Sequence, residues 1–155
     1  MNKDLIVEEE NKELGFVGTP KEINKTIIEK IVKEKKVPVI APLGLDKNNQ
    51  VFNINADTAA GAIAKKLNAR RLIIMSDVEG VLDNNKKLIT EINTVKVNEL
   101  IKNETVSGGM IPKIKNCLDV ASNGVKGVCI IDGRLDHSIL FELLSNAGSG
   151  TLIRE

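Results

Sequence analysis

The stretch Asp57-Thr-Ala-Ala-Gly-Ala-Ile-Ala-Lys-Lys-Leu-Asn-Ala-Arg-Arg-Leu-Ile-Ile-Met-Ser-Asp-Val-Glu-Gly80 decides the fold class. Its first half is rich in alanine and predicts a helix over residues 56–67, with Asp57 or Thr58 at its start. Its second half contains the apolar run 71–75, typical of a buried strand, and then small and acidic residues. A helix that leads directly into a buried strand favours a mainly parallel sheet covered by helices.

The same alternation continues on both sides of this stretch. Upstream, we predict a strand at residues 5–7, a helix opened by Thr19-Pro20, a buried strand over 37–41 and an alternating strand over 51–55. Downstream, Gly108-Gly109 leads into a helix that Asn123-Gly124 closes. The remaining downstream elements are a weak helix over 95–101, strands over 127–132 and 151–153, and a short helix over 137–144. The sequence therefore predicts an α/β fold, a three-layer α/β/α sandwich with a mainly parallel sheet.

Composition excludes several classes of function. The 155 residues include 22 basic and 21 acidic side chains, and the net charge of +1 indicates neither a nucleic-acid nor a membrane surface. Only three aromatic residues occur, all Phe, too few for base-stacking platforms. Two cysteines twelve positions apart, Cys117 and Cys129, predict neither a metal site nor a disulfide framework, and they suit a reducing cytoplasm. No apolar run is long enough to span a membrane.

Two polar clusters follow predicted strands, and ligands of parallel sheets bind at such strand ends. Asn53 and Asn55 point to the same side of an extended segment, with Asp57 close behind, and paired amides suit a polar small molecule. An Asx-rich turn with a helix cap is the alternative interpretation. The acidic stretch 76–80 suits a nucleotide contact, although by itself it favours a plain exit from a strand into a loop.

A third cluster, Thr105-Val-Ser-Gly-Gly-Met110 with Lys113, stands at a predicted helix start. Exposed N–H groups at a helix start attract phosphate, glycines allow close approach, and a lysine adds a full charge. The stretch does not match the P-loop pattern, and a glycine-rich helix entry beside a solvated lysine is the alternative.

Taken in this order, the clusters resemble the amino acid kinase family and, within it, the N-acetylglutamate kinases. The matching stretches are 13–18, 37–44, 52–61, 76–82, 108–113, 129–134 and 142–151. The resemblance implies phosphoryl transfer from ATP to N-acetyl-L-glutamate in arginine biosynthesis, with Mg²⁺ on the phosphates. It implies that Asn53 and Asn55 hold acetylglutamate, that Asp57 organises catalytic lysines and that Lys113 stabilises the transferring group. The nucleotide site would comprise Asp77, Val78, Glu79, Gly80, Val81, Leu82, Thr105, Val106, Ser107 and Met110.

The sequence also departs from the family pattern. Family members carry a lysine near the first strand, a Gly-Gly substrate loop and a substrate-binding arginine, for which no match occurs here. Residues 1–66 are therefore expected to be a remnant of the acylglutamate lobe and residues 67–155 the nucleotide lobe. We expect little activity from this polypeptide alone, ATP binding by it, and either a homo-oligomer or a complementing N-terminal chain.

The tail 142–151 resembles the signature of arginine-inhibited family members, which suggests that Glu142 and Gly148 could bind L-arginine. A histidine usual in that site corresponds to Cys129 here. Two alternatives to a kinase thus stay open: a non-catalytic nucleotide- or arginine-binding module that regulates or completes another protein, and a domain without surviving function.

Overall fold

The structure is a computed structural model that describes residues 5–10 and 15–155. The beginning of the 13–18 stretch lies outside the described residues. The chain divides into two compact units, Met1–Leu67 and Asn68–Glu155. Each unit carries its own four-stranded sheet.

The first unit packs its helices and sheet around a small apolar core. Its strand order is β2-β1-β3-β4, in which β1 and β3 run parallel and the two outer pairs run antiparallel. Val7, Phe52, Ile54 and Ala59 form the core cluster, and each is at most 5% exposed. The elements are β1 Leu5–Glu9, β2 Gly18–Ile23, α1 Lys25–Lys33, β3 Leu43–Leu45, β4 Val51–Asn53 and α2 Ala56–Lys66.

The predicted helix start at Thr19-Pro20 is wrong, because both residues lie in strand β2. The register between β1 and β2 shifts between Ile6 and Val7, where Pro20 pairs, and β2 is an edge strand. Proline is tolerated at edges and irregular positions because the missing N–H removes no essential ladder bond. Helix α1 instead follows Asn24, whose side chain accepts a hydrogen bond from the Thr26 N–H at 3.2 Å.

The predicted buried strand over 37–41 is also wrong. This segment forms no strand, and Val37 and Val39 are 87% and 95% exposed. The neighbouring strand begins only at Leu43. A strand requires a hydrogen-bonded partner, and no described strand pairs with this apolar run.

The second unit contains the larger core, built around the fully buried strand β7. Its strand order is β5-β7-β8-β6, with β8 antiparallel to β7 and the other two pairs parallel. Helix α4 packs on β7 and β8, and its residues Ile114, Cys117 and Val120 are fully buried. The elements are β5 Leu72–Ser76, β6 Glu91–Ile92, α3 Thr94–Lys102, α4 Met110–Ser122, β7 Val128–Asp132, α5 Ser138–Leu144 and β8 Gly150–Ile153.

The α/β fold class is confirmed, as are the helix over 56–67 and every element predicted downstream of it. These predictions rested on local signals, namely apolar periodicity, short apolar runs and glycine punctuation, and the signal was weak only for the helix over 95–101. Over residues 5–10 and 15–155, no helix is both long and apolar enough to cross a membrane.

Candidate functional site

In the first unit, Asn53, Asn55 and Asp57 lie where β4 leads into α2. Asn53 and Asn55 are both exposed and flank Ile54, which is 1% exposed. Because alternate residues of an extended segment face opposite sides, both amides lie on the face opposite the core. Asp57 is half-buried in the first turn of α2. The surface can thus present two amides and a carboxylate to a polar molecule.

Asn55, rather than Asp57 or Thr58, caps helix α2, so the predicted cap is corrected. Its side-chain oxygen accepts a hydrogen bond from the Thr58 N–H at 3.1 Å. An asparagine in extended conformation before a helix is a favoured cap, and its short amide reaches the third residue. The cap uses the amide oxygen, so the Asn55 NH₂ group keeps its capacity to donate to a ligand.

In the second unit, hydrogen bonds to a threonine of β8, which sequence reasoning missed, hold the loop after β5 in place. The Thr151 hydroxyl, fully buried, accepts from the Val81 N–H at 2.8 Å and donates to the Ile89 carbonyl at 2.7 Å. Gly80 has φ +146, and a Cβ there would lie 2.6 Å from the Thr151 hydroxyl. Gly80 and Val81 therefore anchor the loop on β8, while Asp77 and Glu79 remain exposed. Val78 and Leu82 are half-buried.

The other predicted nucleotide residues surround the start of α4. Val106 is buried, Thr105 and Met110 are half-buried, and Ser107 is exposed. Helix α4 packs on β7 and joins it through a short turn, so the helix and the strand run in opposite directions. Its start therefore lies toward the sheet edge where β5 and β7 end, which is where ligands of such sheets bind.

The start of α4 fits a phosphate group. The 13-residue helix has no acidic residue in its first turn, and its N-cap, Gly109, provides no side-chain hydrogen bond. A Cβ built at Gly108 or Gly109 would have nothing within 4 Å, so the approach to the backbone is open. The Met110 and Ile111 N–H groups donate to the Ser107 and Gly108 carbonyls at 3.4 and 3.2 Å, and Pro112 has no N–H, so the backbone that an anion can approach is that of Gly108 and Gly109. The helix dipole favours an anion there, and Lys113 adds positive charge about one turn along.

Beside the β5 loop, Asp132 and Arg134 form a close ion pair at the end of β7. The Asp132 side chain is buried and accepts from the Arg134 N–H and Nε at 2.9 Å each and from Nη2 at 2.7 Å. These hydrogen bonds from Arg134 lower the pKa of Asp132 to about 2. Asp132 therefore carries a negative charge at neutral pH.

Glu142 and Gly148 lie together in a second polar cluster of this unit. The Glu142 carboxylate, 8% exposed, accepts from the Ser149 N–H at 2.9 Å and lies 3.5 Å from the Arg71 guanidinium. A Cβ at Gly148 would lie 2.9 Å from that carboxylate, so glycine permits the close approach. Burial raises the pKa of the Cys129 thiol to about 12, and a hydrogen bond to Glu142 adds to this effect. Sequence reasoning missed Arg71 because it stands 71 positions from its partner.

Known proteins share both sequence and fold with the chain. An acetylglutamate kinase from Pelagibacter ubique is 71% identical over 154 residues, which are 99% of this chain and 54% of the relative. An acetylglutamate kinase from Rhodopseudomonas palustris is 47% identical over 147 residues, or 49% of its length. The crystal structure of smu.665 from Streptococcus mutans superposes with a TM-score of 0.81 at 34% identity, covering 97% of this chain and 56% of that one.

The chain thus spans about half the length of the curated relatives it matches. The model of one family, described as the amino acid kinase family, matches residues 2–132. That match includes the asparagine pair, the loop after β5 and the start of α4. The chain belongs to the amino acid kinase family.

Proposed function

We propose that this chain is the nucleotide-binding part of an acetylglutamate kinase, which transfers a phosphoryl group from ATP to N-acetyl-L-glutamate. One observation carries the proposal: the uncapped, glycine-led start of α4, with Lys113 one turn along, at the sheet edge where β5 and β7 end. The 71% identity to a protein named acetylglutamate kinase supports the reaction class and the acceptor. On this basis residues 67–155 bind the nucleotide and residues 1–66 contribute to the acetylglutamate site.

The roles that we propose follow from charge and hydrogen-bonding capacity. The backbone of Gly108 and Gly109, before the first turn of α4, holds phosphate oxygens, and Lys113 neutralises charge on the phosphoryl group as it transfers. Asn53 and Asn55 hold the acetylglutamate through their amides, and Asp57 orders neighbouring groups by accepting hydrogen bonds. Mg²⁺, bound to the phosphates, supplies further charge neutralisation. Chemistry of this kind needs no covalent protein intermediate.

Replacing Lys113 with alanine should weaken equilibrium binding of ATP·Mg by about 10-fold, because a charge-assisted contact with phosphate is lost. Binding of adenosine should not change, since adenosine carries no phosphate. Isothermal titration of the folded polypeptide measures both affinities. Lys115 is an exposed lysine two positions along the same helix. Lys115→Ala is therefore the matched control and should bind ATP·Mg as tightly as the wild type does. Equal ATP affinity in wild type and Lys113→Ala would rule out the proposed role.

A second candidate function is binding of L-arginine at Glu142. A carboxylate offers about four acceptor positions, and the Ser149 N–H, the Arg71 guanidinium and the Cys129 thiol use only part of that capacity. Titration with L-arginine should therefore give saturable heat. L-citrulline, which has a similar shape without the cationic guanidinium, should give none. Absence of heat with L-arginine in a folded sample would remove this candidate and with it the binding-module alternative for arginine.

We also propose that further polypeptide covers an apolar groove in the first unit, between α1 and residues 38–45. The groove encloses about 430 Å³ and is lined by residues that include Ile27, Ile28, Ile31, Val39, Leu43 and Ile63. Exposed apolar surface of this extent is typical of an interface. The relatives are nearly twice as long, so we assign the groove to the half that this chain does not match. A second copy of the chain is the competing occupant.

The cytoplasm is the compartment that we propose. Cys117 and Cys129 are buried and form no disulfide. Thiols of this kind persist in reducing compartments, and the proposed reaction is biosynthetic.

A further inference from the structure

The ion pair at the end of β7 lies beside the loop proposed to bind the nucleotide. In the parallel pair β5–β7, Ser76 is opposite Asp132, and the Gly133 N–H donates to the Ser76 carbonyl at 2.7 Å. A Cβ at Gly133 would lie 3.3 Å from both Met75 Cβ and the Ser76 carbonyl oxygen, so the ends of β5 and β7 approach each other closely here. Arg134 consequently leaves β7 next to the point where Asp77 begins the loop.

Arg134 is held in place while part of it remains accessible. Two side-chain hydrogen bonds to the buried Asp132 carboxylate fix the plane of the guanidinium, in the fork geometry that arginine makes with carboxylates. The Arg134 side chain is nevertheless 62% exposed, whereas the Asp132 side chain is 3% exposed. The hydrogen bond to Asp132 is the main cause that raises the pKa of Arg134, and the charges of Asp77 and Glu79 add to it. The sheet register places residue 134 next to the start of the loop, and the charges of both loop carboxylates favour the charged form of the guanidinium.

The charge of this cluster indicates which part of a nucleotide it suits. Asp132, Asp77 and Glu79 contribute three carboxylates to this end of the sheet and Arg134 contributes one guanidinium, so the cluster is net negative and disfavours phosphate. Carboxylate oxygens instead accept hydrogen bonds from hydroxyl groups, as acidic residues at the ends of parallel strands do with ribose. Phosphate finds its donors at the start of α4, where the first turn contains no acidic residue.

We propose that Arg134, held by Asp132, is a positioning residue that orients Asp77 and Glu79 to accept hydrogen bonds from the ribose hydroxyls of ATP. The proposal rests on the proposed nucleotide site and adds two residues to it, neither of which touches the phosphates. Losing the guanidinium leaves Asp77 and Glu79 to repel each other, and the loop then no longer presents both carboxylates to one sugar.

The test compares adenosine with 2′,3′-dideoxyadenosine by isothermal titration of the full 155-residue chain. Wild type should bind adenosine about 10-fold more tightly, since each hydroxyl contact to a charged group contributes substantially. Arg134→Gln should reduce this ratio to about 1 to 2, and Arg134→Lys should restore part of it through its charge. Arg70→Gln, at the opposite end of β5, is the matched control and should keep the wild-type ratio.

The ratio separates positioning from a general effect on folding, which would weaken both ligands equally. An unchanged ratio in Arg134→Gln would overturn the proposal. Loss of ATP·Mg binding in that variant with intact adenosine binding would also overturn it, because it would place the guanidinium at the phosphates. A wild type that binds neither ATP·Mg nor adenosine would overturn the nucleotide site itself, whereas a wild type that binds ATP·Mg but shows no ribose preference would overturn this inference alone.

Discussion

Adding the unmatched half of the Pelagibacter ubique relative to this chain is expected to raise the rate of acetylglutamate phosphorylation by about 10²-fold or more. The reason is that phosphoryl transfer depends on several positioned charges, and removing one such group typically costs about that factor. The family resemblance assigns a further lysine and a substrate loop to positions that have no match in this sequence. A coupled assay of ADP release, with and without N-acetyl-L-glutamate, measures the rate for each polypeptide and for the mixture.

Two valine variants test where the added polypeptide binds. Val39 is 95% exposed in the apolar groove of the first unit, so Val39→Asp should abolish the gain in rate. Val95, which is 67% exposed on α3 of the second unit, provides the matched control, and Val95→Asp should leave the gain intact. Strong turnover by the 155-residue chain alone would contradict the expectation. A dimer of this chain that Val39→Asp dissociates would assign the groove to a second copy instead.

The parts of the fold that sequence predicted correctly are those whose signals are local. Helix α4 has a glycine pair before it, apolar residues at helical spacing and Asn123-Gly124 after it, and its observed bounds follow these marks. Strand β7 is a short apolar run and is buried along its entire length. In both cases the residues that signal the element lie within it or directly beside it, and for β7 the strands β5 and β8 supply the hydrogen-bonded partners.

The errors arose where pairing decided the structure. Pro20 follows a threonine in a pattern typical of a helix start, yet antiparallel pairing with β1 places it in an edge strand. The apolar run 37–41 is typical of a strand, but its strand character depends on a neighbour that no described residue provides. An apolar pattern indicates that a segment tends to be buried, whereas the formation of a strand also requires a hydrogen-bonded partner.

The candidate site was predictable only in part, for a similar reason. The amides, the loop after β5 and the start of α4 are contiguous motifs that a sequence displays directly. The residues that support these motifs are not contiguous with them. Thr151 contacts Val81 across 70 positions, and Arg71 contacts Glu142 across 71. Asp132 and Arg134 lie two positions apart in sequence, but their relation to Asp77 emerges only from the register of β5 against β7.

Gly150→Ala is expected to destabilise the second unit by about 3 kcal/mol, lowering its thermal unfolding midpoint by more than about 10 °C. A Cβ at this position would overlap the carbonyl oxygen of Ile130 and lie 3.0 Å from the Ile131 Cα. Both contacts are with the backbone of the fully buried strand β7, which cannot move aside without disturbing the sheet. Circular dichroism followed during heating measures the midpoint.

Gly127→Ala is the matched control for this substitution, since it adds the same methyl group beside the same two strands. There the new Cβ would meet only the end of the Leu152 side chain, at 3.0 Å, and a flexible side chain can yield where backbone cannot. We expect a cost below about 1 kcal/mol for the control. Because β8 also carries Thr151, which holds the loop after β5, Gly150→Ala should weaken adenosine binding as well as stability. Equal midpoints for the two variants would mean that the β7–β8 pairing tolerates a side chain at residue 150, which would contradict the expected destabilisation.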